Sequence, residues 1–459
     1  MITYSYEEVV SWKPEKIFEM KEKVEGWDLK PILTTLVIPT YDRGKNYRKS
    51  LKKTIKKTAE LVDTGAVNEV LIMDGTGKKN NPDKEFNEFV LECASRYSDD
   101  FNNQIELIRK SPSSRTLAKR GEFPFRYKIF NQKNPEYYRI FIEDIGFKLD
   151  GNKISEKDIQ QGKGNALKFS VPATKGDIIC YNDSDIKTYE PFYVTGLLMP
   201  FFLKDKITFT KATYIRRNSV GELGGRIKRL VYQPWVNALV KRGKFAGLEN
   251  LEYGTSGEFA IKRDLANKIT FESGYKIETS LNTQVYHELY GNMNRVAQSH
   301  LGIFEHFSSD VEENRKTGRD KAMENMAREI TEVWVEKTIE TGLELSEGEF
   351  FDMYLEEVTP IIEDTKKMLD KSEIAKKFGI KYGEEQIELD LKRLERYKPQ
   401  IKKGIKNAIE SYEKNENTIP SWRYIKELCG LKIYEDFKEH LSKETTIYTL
   451  ELLEGSDLI

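Results

Sequence analysis

Between residues 33 and 185 the chain alternates short apolar runs with amphipathic stretches, and this rhythm restricts the fold more than any other feature. "PILTTLVIPTYDRG" and "NEVLIMDGTG" are β-branched runs that end in polar turns. "NYRKSLKKTIKKTAELVDTG" follows the first, with Leu51, Ile55, Leu61 and Val62 near one helical face and Gly65 as its stop. "DKEFNEFVLECASRY" reads as a second helix and "QIELIRK" as a third strand. "GKGNALKFSVPATKG" reads as a helix opening at Gly162 and Gly164, and "DIICYNDSD" as a fourth strand. Strands alternating with helices predict an α/β domain around a parallel sheet. Residues 111–160 break the rhythm and read as an insertion. The strand ends Thr40, Asp74 and Asp183 then fall on one sheet edge, where open α/β sheets bind ligands.

Past residue 309 the chain turns charged and helical. In "DLKRLERYKPQIKKGIKNAIESYEK" Leu391, Leu394, Tyr397, Ile401, Ile405 and Ile409 recur every three or four residues. Such a stripe needs a cover, either the chain's own core or another subunit, and the length of the tail favours a homodimer. The expected division is an N-terminal arm (1–30), an α/β domain (31–309, with halves 31–185 and 186–309) and a helical C-terminal extension (310–459). Lys+Arg number 74 against 75 Asp+Glu. That balance gives no reason to expect nucleic acid or an anionic membrane as partner. No apolar stretch approaches the ~20 residues of a membrane span. The acidic N-terminus is unlike a signal peptide, and three cysteines without metal spacing fit a reducing cytoplasm.

Asp183 and Asp185 follow an apolar strand, where carboxylates are costly unless paired. Hard oxygens at a sheet edge suit Mg²⁺ or Mn²⁺ bridging to a diphosphate. Spacing alone equally allows Asp185 to cap a helix over "YEPFYVTGLLMPFF". "GKG" at Gly162 places backbone amides and Lys163 at a helix start, an anion cradle or else a turn with a surface lysine. "GGRIKR" offers Arg226, Lys228 and Arg229 to an anionic group, or else begins a basic helix. His306, one of four histidines, is a metal ligand or a structural residue.

In order, "VIPTYDRG", "VLIMDGTG", "GKGNAL", "GDIICYNDSD", "GGRIKRLVYQPW", "SGEFAIKRDL", "GYKIETSL" and "AQSHLGIFEH" resemble the motif series of the glucosyl-3-phosphoglycerate synthases. These are retaining glycosyltransferases of GT-A (Rossmann-like) fold that make a compatible-solute precursor. The resemblance covers roughly Leu33 to Ser309, without the insertion. It implies donor contacts at Pro39, Thr40, Tyr41, Asp42, Arg43, Gly75, Lys163, Asp183, Ser184, Tyr275 and Glu278. It implies an acceptor loop at Gly225, Arg226, Ile227 and Lys228 together with Ser308, and a divalent metal on Asp185 and His306. Lys163, Asp185 and Glu278 correspond to the catalytic set. The chain departs from the family pattern with Asp42-Arg43-Gly44 for Asn-Glu-Glu, Lys228 for a common threonine and Ser308 for a common asparagine. What the resemblance implies is transfer of glucose from a nucleoside-diphosphate glucose to the 2-hydroxyl of 3-phospho-D-glycerate, by front-face attack. D-Glycerate as direct acceptor and a mannosyl donor are nearby alternatives. A sugar-nucleotide-binding scaffold without catalysis is a more distant one, which the intact Lys163, Asp185, Glu278 and His306 speak against.

Overall fold

The protein, in a computed structural model, is described over residues 1–25, 32–78, 81–146, 162–218, 221–305, 321–414, 421–456 and 458–459. It divides into two compact units. The first comprises Glu7–Thr210, Glu258–Phe271 and Ile419–Ile459, and the second Met1–Tyr6, Lys211–Gly257 and Glu272–Thr418.

In the first unit, Thr34–Thr40 lies parallel to Glu69–Asp74 on one side and to Ile178–Tyr181 on the other. Tyr127–Asn131 extends the sheet in parallel beyond Glu69–Asp74. Phe259–Lys262 closes the opposite side in the antiparallel sense. The strands are buried almost throughout, as a parallel sheet covered on both faces requires. Chain order reverses between Thr34–Thr40 and Ile178–Tyr181. The first strand leads outward to the second and third, and the fourth returns on its other side. That reversal opens a crevice at the carboxyl ends of these two strands.

The Lys45–Asp63 helix buries Leu51, Ile55, Leu61 and Val62 as the spacing predicts. It ends where Gly65 adopts φ 74° and donates to the Val62 carbonyl. Two expectations fail in the next segment. "QIELIRK" is no strand: Asp99–Lys110 is a helix, capped by Ser98, which accepts from the Phe101 amide. Its acidic first turn and basic last turn complement the helix dipole. Phe101, Ile105 and Ile108 form its buried face, whereas Leu107 is exposed, so the apparent Ile-x-Leu alternation is misleading. Nor are residues 111–160 wholly an insertion, because Tyr127–Asn131 is a fully buried strand of the sheet.

The residues read as one helical extension contribute to both units. The Leu431–Gly455 helix lies against the Tyr127–Asn131 strand, and its Thr449 hydroxyl accepts from the Ile129 amide at 3.1 Å. An edge strand is thereby covered, which removes a template for pairing with another chain. Trp422 is buried among Phe141, Phe169 and Phe437 and donates to the Lys168 carbonyl. In the second unit, Ile2–Tyr4 pairs in parallel with Val296–Phe304. The helices Lys321–Glu340, Glu347–Lys371 and Glu384–Lys414 pack together there. Leu394, Tyr397, Ile401 and Ile405 are buried in that packing, while Leu391 is exposed and Ile409 half-buried, so most of the stripe is covered within its own chain and it carries no argument for a homodimer. Among the described residues no helix is long and apolar enough to cross a membrane.

Phe437→Ala should lower the unfolding free energy by about 3–5 kcal/mol, the cost of truncating a buried aromatic. Tyr424→Ala, at a half-exposed site of the same segment, should stay within about 0.5 kcal/mol. Chemical denaturation of both variants checks this. An unchanged midpoint for Phe437→Ala would make residues 419–459 an appendage after all.

Candidate functional site

At the crevice, a cavity of about 380 Å³ is lined by Pro39, Thr40, Tyr41, Arg43 and Tyr47 from the first strand, its exit loop and the helix that follows. Gly75 and Gln132 come from the ends of the next two strands. Gly162, Lys163 and Ala166 come from a helix start, and Asp183, Ser184 and Asp185 from the loop after Ile178–Tyr181. The volume falls in the usual range for ligand pockets.

Each element presents its residues for a local reason. Gly162 stands at the N-cap of Lys163–Ala173 with φ 137°, a conformation side-chain-bearing residues avoid, and open space surrounds it. Lys163 thus occupies the first helical position and pairs with Asp183, Nζ to Oδ1 2.7 Å. Arg43, on the exit loop of the first strand, pairs with Asp185, Nη1 to Oδ2 3.2 Å. Asp185 does not cap a helix: the next one spans Phe192–Leu203 and its N-cap is Pro191. Both aspartates are therefore matched, in this state, by cationic side chains that line the same cavity.

A file of hydrogen bonds joins the two loops. The Tyr41 amide donates to the Tyr47 hydroxyl, 3.2 Å, and the Ser184 hydroxyl donates to the Pro39 carbonyl, 2.8 Å. Tyr47 and Ser184 lie 2.6 Å apart, and Tyr47 is the donor, since the Ser184 proton is already directed to Pro39. Burial raises the Tyr47 pKa, so this tyrosine remains a neutral donor. Beneath, Asp74 accepts from the Thr76 amide at 2.8 Å, Asn87 at 3.0 Å and Asn131 at 3.1 Å. Burial pushes Asp74 up to about 6 against the opposing effect of those bonds, led by Thr76. Asp42 does not line the cavity. Its carboxylate is occupied by Arg48 (Nε 2.9 Å, Nη2 2.8 Å) and by the Gly44 amide, 2.9 Å.

The other expected site residues lie in the second unit. Gly225 has φ 71°, and a Cβ there would stand 2.9 Å from the Tyr253 hydroxyl. Arg226 and Ile227 follow, and then a π-helix, Lys228–Tyr232. Arg229 is committed elsewhere: its guanidinium is buried against Asp390, Nη2 to Oδ2 2.7 Å, and donates to the Gly224 carbonyl. Desolvation, reinforced by the Arg229 charge and opposed by Glu252, lowers the Lys228 ammonium to about 8. Tyr275 is exposed just before Ile277–Glu288, and Glu278 sits half-buried in the first turn of that helix. His306 and Ser308 fall outside the described residues.

Sequence reading missed Tyr47, Gln132 and Ala166. Tyr47 looks like any apolar position of an amphipathic helix. Gln132 comes from the stretch taken for an insertion. As for a divalent metal, no group of three or more His, Cys, Asp or Glu is arranged to hold one among the described residues. The donor chemistry still fits. Mg²⁺ commonly takes one or two carboxylates and completes its shell with substrate phosphate and water. Asp185 presents such an oxygen to the cavity, paired with an exposed arginine.

No family model matches the chain. It is 32% identical over 161 residues to glucosyl-3-phosphoglycerate synthase of Mycolicibacterium paratuberculosis, covering 33% of this chain and 47% of that one. It is 30% identical over 168 residues to the Mycobacterium tuberculosis protein of the same name, covering 35% and 50%. The chain thus spans about half the length of the curated relatives it matches. Solved structures similar to it include mannosyl-3-phosphoglycerate synthase from Rubrobacter xylanophilus (19% identity, TM-score 0.48, 75% of this chain and 83% of that one). Another is M. tuberculosis glucosyl-3-phosphoglycerate synthase with Mn²⁺, uridine diphosphate and glucosyl-3-phosphoglycerate (22%, 0.45, 73% and 86%).

Asp74 makes the site's scaffold sensitive to pH. A carboxyl whose pKa is raised by folding adds most stability below its unfolded value and loses that contribution as pH rises through its folded value. The stability of wild type relative to Asp74→Asn should therefore fall by up to about 3 kcal/mol between pH 4 and pH 7. Urea titrations of both proteins across that range check it; a constant difference would mean that Asp74 is charged throughout. Over about a third of its length, the chain is a sequence relative of the glucosyl-3-phosphoglycerate synthases.

Proposed function

We propose that the protein is a cytoplasmic, divalent-metal-dependent glucosyltransferase of GT-A type. It moves glucose from a nucleoside-diphosphate glucose to the 2-hydroxyl of 3-phospho-D-glycerate, with retention. The observation that carries this reading is the crevice itself. Two neighbouring carboxylates, each matched by a cation, face the amide-rich start of a helix across one cavity at the sheet's reversal point.

The residues have distinct tasks. The first amides of Lys163–Ala173 and the Lys163 ammonium bind diphosphate oxygens, leaving Asp183 to accept a hydroxyl of the donor. Tyr47 fixes Ser184 and Pro39 against each other, which orients the loop carrying Asp185. Asp185 would hold the divalent cation, with His306 as the second ligand the resemblance implies. Such a cation, when bound, supplies positive charge against the charge growing on the leaving diphosphate. Glu278 is assigned to the glucose hydroxyls. For the acceptor, the resemblance implies the loop Gly225–Lys228, whose cations Arg226 and Lys228 suit a phosphorylated acid, whereas Arg229 is committed to Asp390.

Purified protein supplied with each nucleoside-diphosphate glucose, with either 3-phosphoglycerate or D-glycerate, and with or without EDTA tests this directly. Transfer to 3-phosphoglycerate that EDTA stops is expected, and Asp185→Ala should abolish it. Absence of sugar transfer to both acceptors with every donor would end the proposal. A second result follows from Lys228. As its ammonium discharges, kcat/KM for 3-phosphoglycerate should fall roughly tenfold from pH 7 to pH 9, and Lys228→Met should flatten that profile. A profile unchanged in Lys228→Met would remove Lys228 from the acceptor site.

A further inference from the structure

Arg43 stands where the resembled family has an acidic residue, and the structure gives it a specific partner. We propose that Arg43 is an internal counter-cation of Asp185, one that leaves this carboxylate when a nucleoside diphosphate and a divalent cation enter and then pairs with the diphosphate. The proposal rests on the reading of the cavity as a sugar-nucleotide site.

Three observations carry it. Both residues line the same cavity, so the ion pair lies on the surface a ligand would cover. The pair is lopsided: the Arg43 side chain is 59% exposed and that of Asp185 17%. An arginine mostly in water contributes little by such a pair and exchanges partners at small cost. The backbone at Arg43, in contrast, is held on both sides. The Asp42 amide donates to the Thr76 hydroxyl at 2.8 Å, and the Asp42 carboxylate grips Arg48 and the Gly44 amide. A fixed backbone with an exposed guanidinium keeps the charge at the mouth of the cavity.

Chemistry sets the direction of exchange. A diphosphate offers several oxyanions to the planar fork of arginine, whereas Asp185 offers a single oxygen at 3.2 Å. A divalent cation seeks that same oxygen and is repelled by the guanidinium beside it. Arg43 therefore opposes metal binding to the ligand-free protein and supports nucleotide binding without metal. These are opposite effects of one residue, and a merely structural role would not produce them.

Two titrations separate them. Mn²⁺ binding to the ligand-free protein is read from the free-ion electron paramagnetic resonance signal. Uridine diphosphate and guanosine diphosphate binding in EDTA is read by calorimetry. Arg43→Ala should tighten Mn²⁺ binding about three- to tenfold. It should weaken metal-free binding of the preferred diphosphate about ten- to hundredfold. Arg43→Lys, which keeps the charge and loses the fork, should fall between wild type and Arg43→Ala in both. If Arg43→Ala shifts neither constant, or weakens both, the proposal is overturned; nucleotide binding by the wild type with Mn²⁺ would still leave the glucosyltransferase reading standing. A wild type that binds neither nucleotide even with Mn²⁺ overturns both.

Discussion

The carboxylate of Asp74, buried at the carboxyl end of its strand, fixes the geometry on which the cavity depends. It gathers Asn87 from a helix, Asn131 from the neighbouring strand and the amide of Thr76 from its own turn. The Thr76 hydroxyl then accepts from the Asp42 amide, and Asp42 holds Arg48 and Gly44. A single desolvated group thereby sets the course of the loop that carries Tyr41 and Arg43. Desolvation raises its pKa to about 6, which shows how much burial opposes the charge that these donors attract. A protonated or a charged Asp74 can each serve this framework, since both forms keep acceptor oxygens toward the amides.

Ion pairs in the protein are of two kinds. Arg229 with Asp390, and Lys128 with Glu69 (2.8 Å), are buried pairs that knit elements together within their units. Breaking one of them strands a charge in a dry place, so such pairs specify structure and cannot serve as ligand sites. Lys163 with Asp183 and Arg43 with Asp185 are partly hydrated and line a cavity. Their partners can be exchanged for phosphate or metal without leaving a buried charge unmatched. Burial, more than residue type, separates the structural arginine from the exchangeable one.

Three of the parallel strands and the cavity's principal residues were legible in the sequence because both leave local marks. Apolar runs ending in Asp or Thr, and a glycine at a helix start, are written within a few residues. Two elements carried no such local mark. "QIELIRK" alternates over too short a stretch to separate a period of two from one of 3.6, and the decisive signals, Ser98 and the acidic pair after it, lie upstream. Tyr127–Asn131 is five residues set among turns, and its identity as a strand comes from the neighbour it pairs with. Gln132 was lost with it. "GGRIKR" shows three cations side by side, but only the remote Asp390 reveals that the charge of Arg229 is spent.

The C-terminal helices show why a charged tail need not be an appendage. Residues 384–414 contribute Asp390 to Arg229 in the Lys228–Tyr232 π-helix, within the second unit. Residues 431–455 contribute Thr449 to the outer edge of the Tyr127–Asn131 strand, within the first. Each helix supplies one polar atom to a buried group that lacks a partner in its own element, and surrounds it with apolar contacts. A parallel sheet with a five-residue outer strand cannot satisfy that strand's outward amides by itself. The helix that answers Ile129 therefore belongs to the sheet's construction, and Gln132, just past that strand in the cavity wall, is held by its own amide on the Asp74 carbonyl at 2.7 Å.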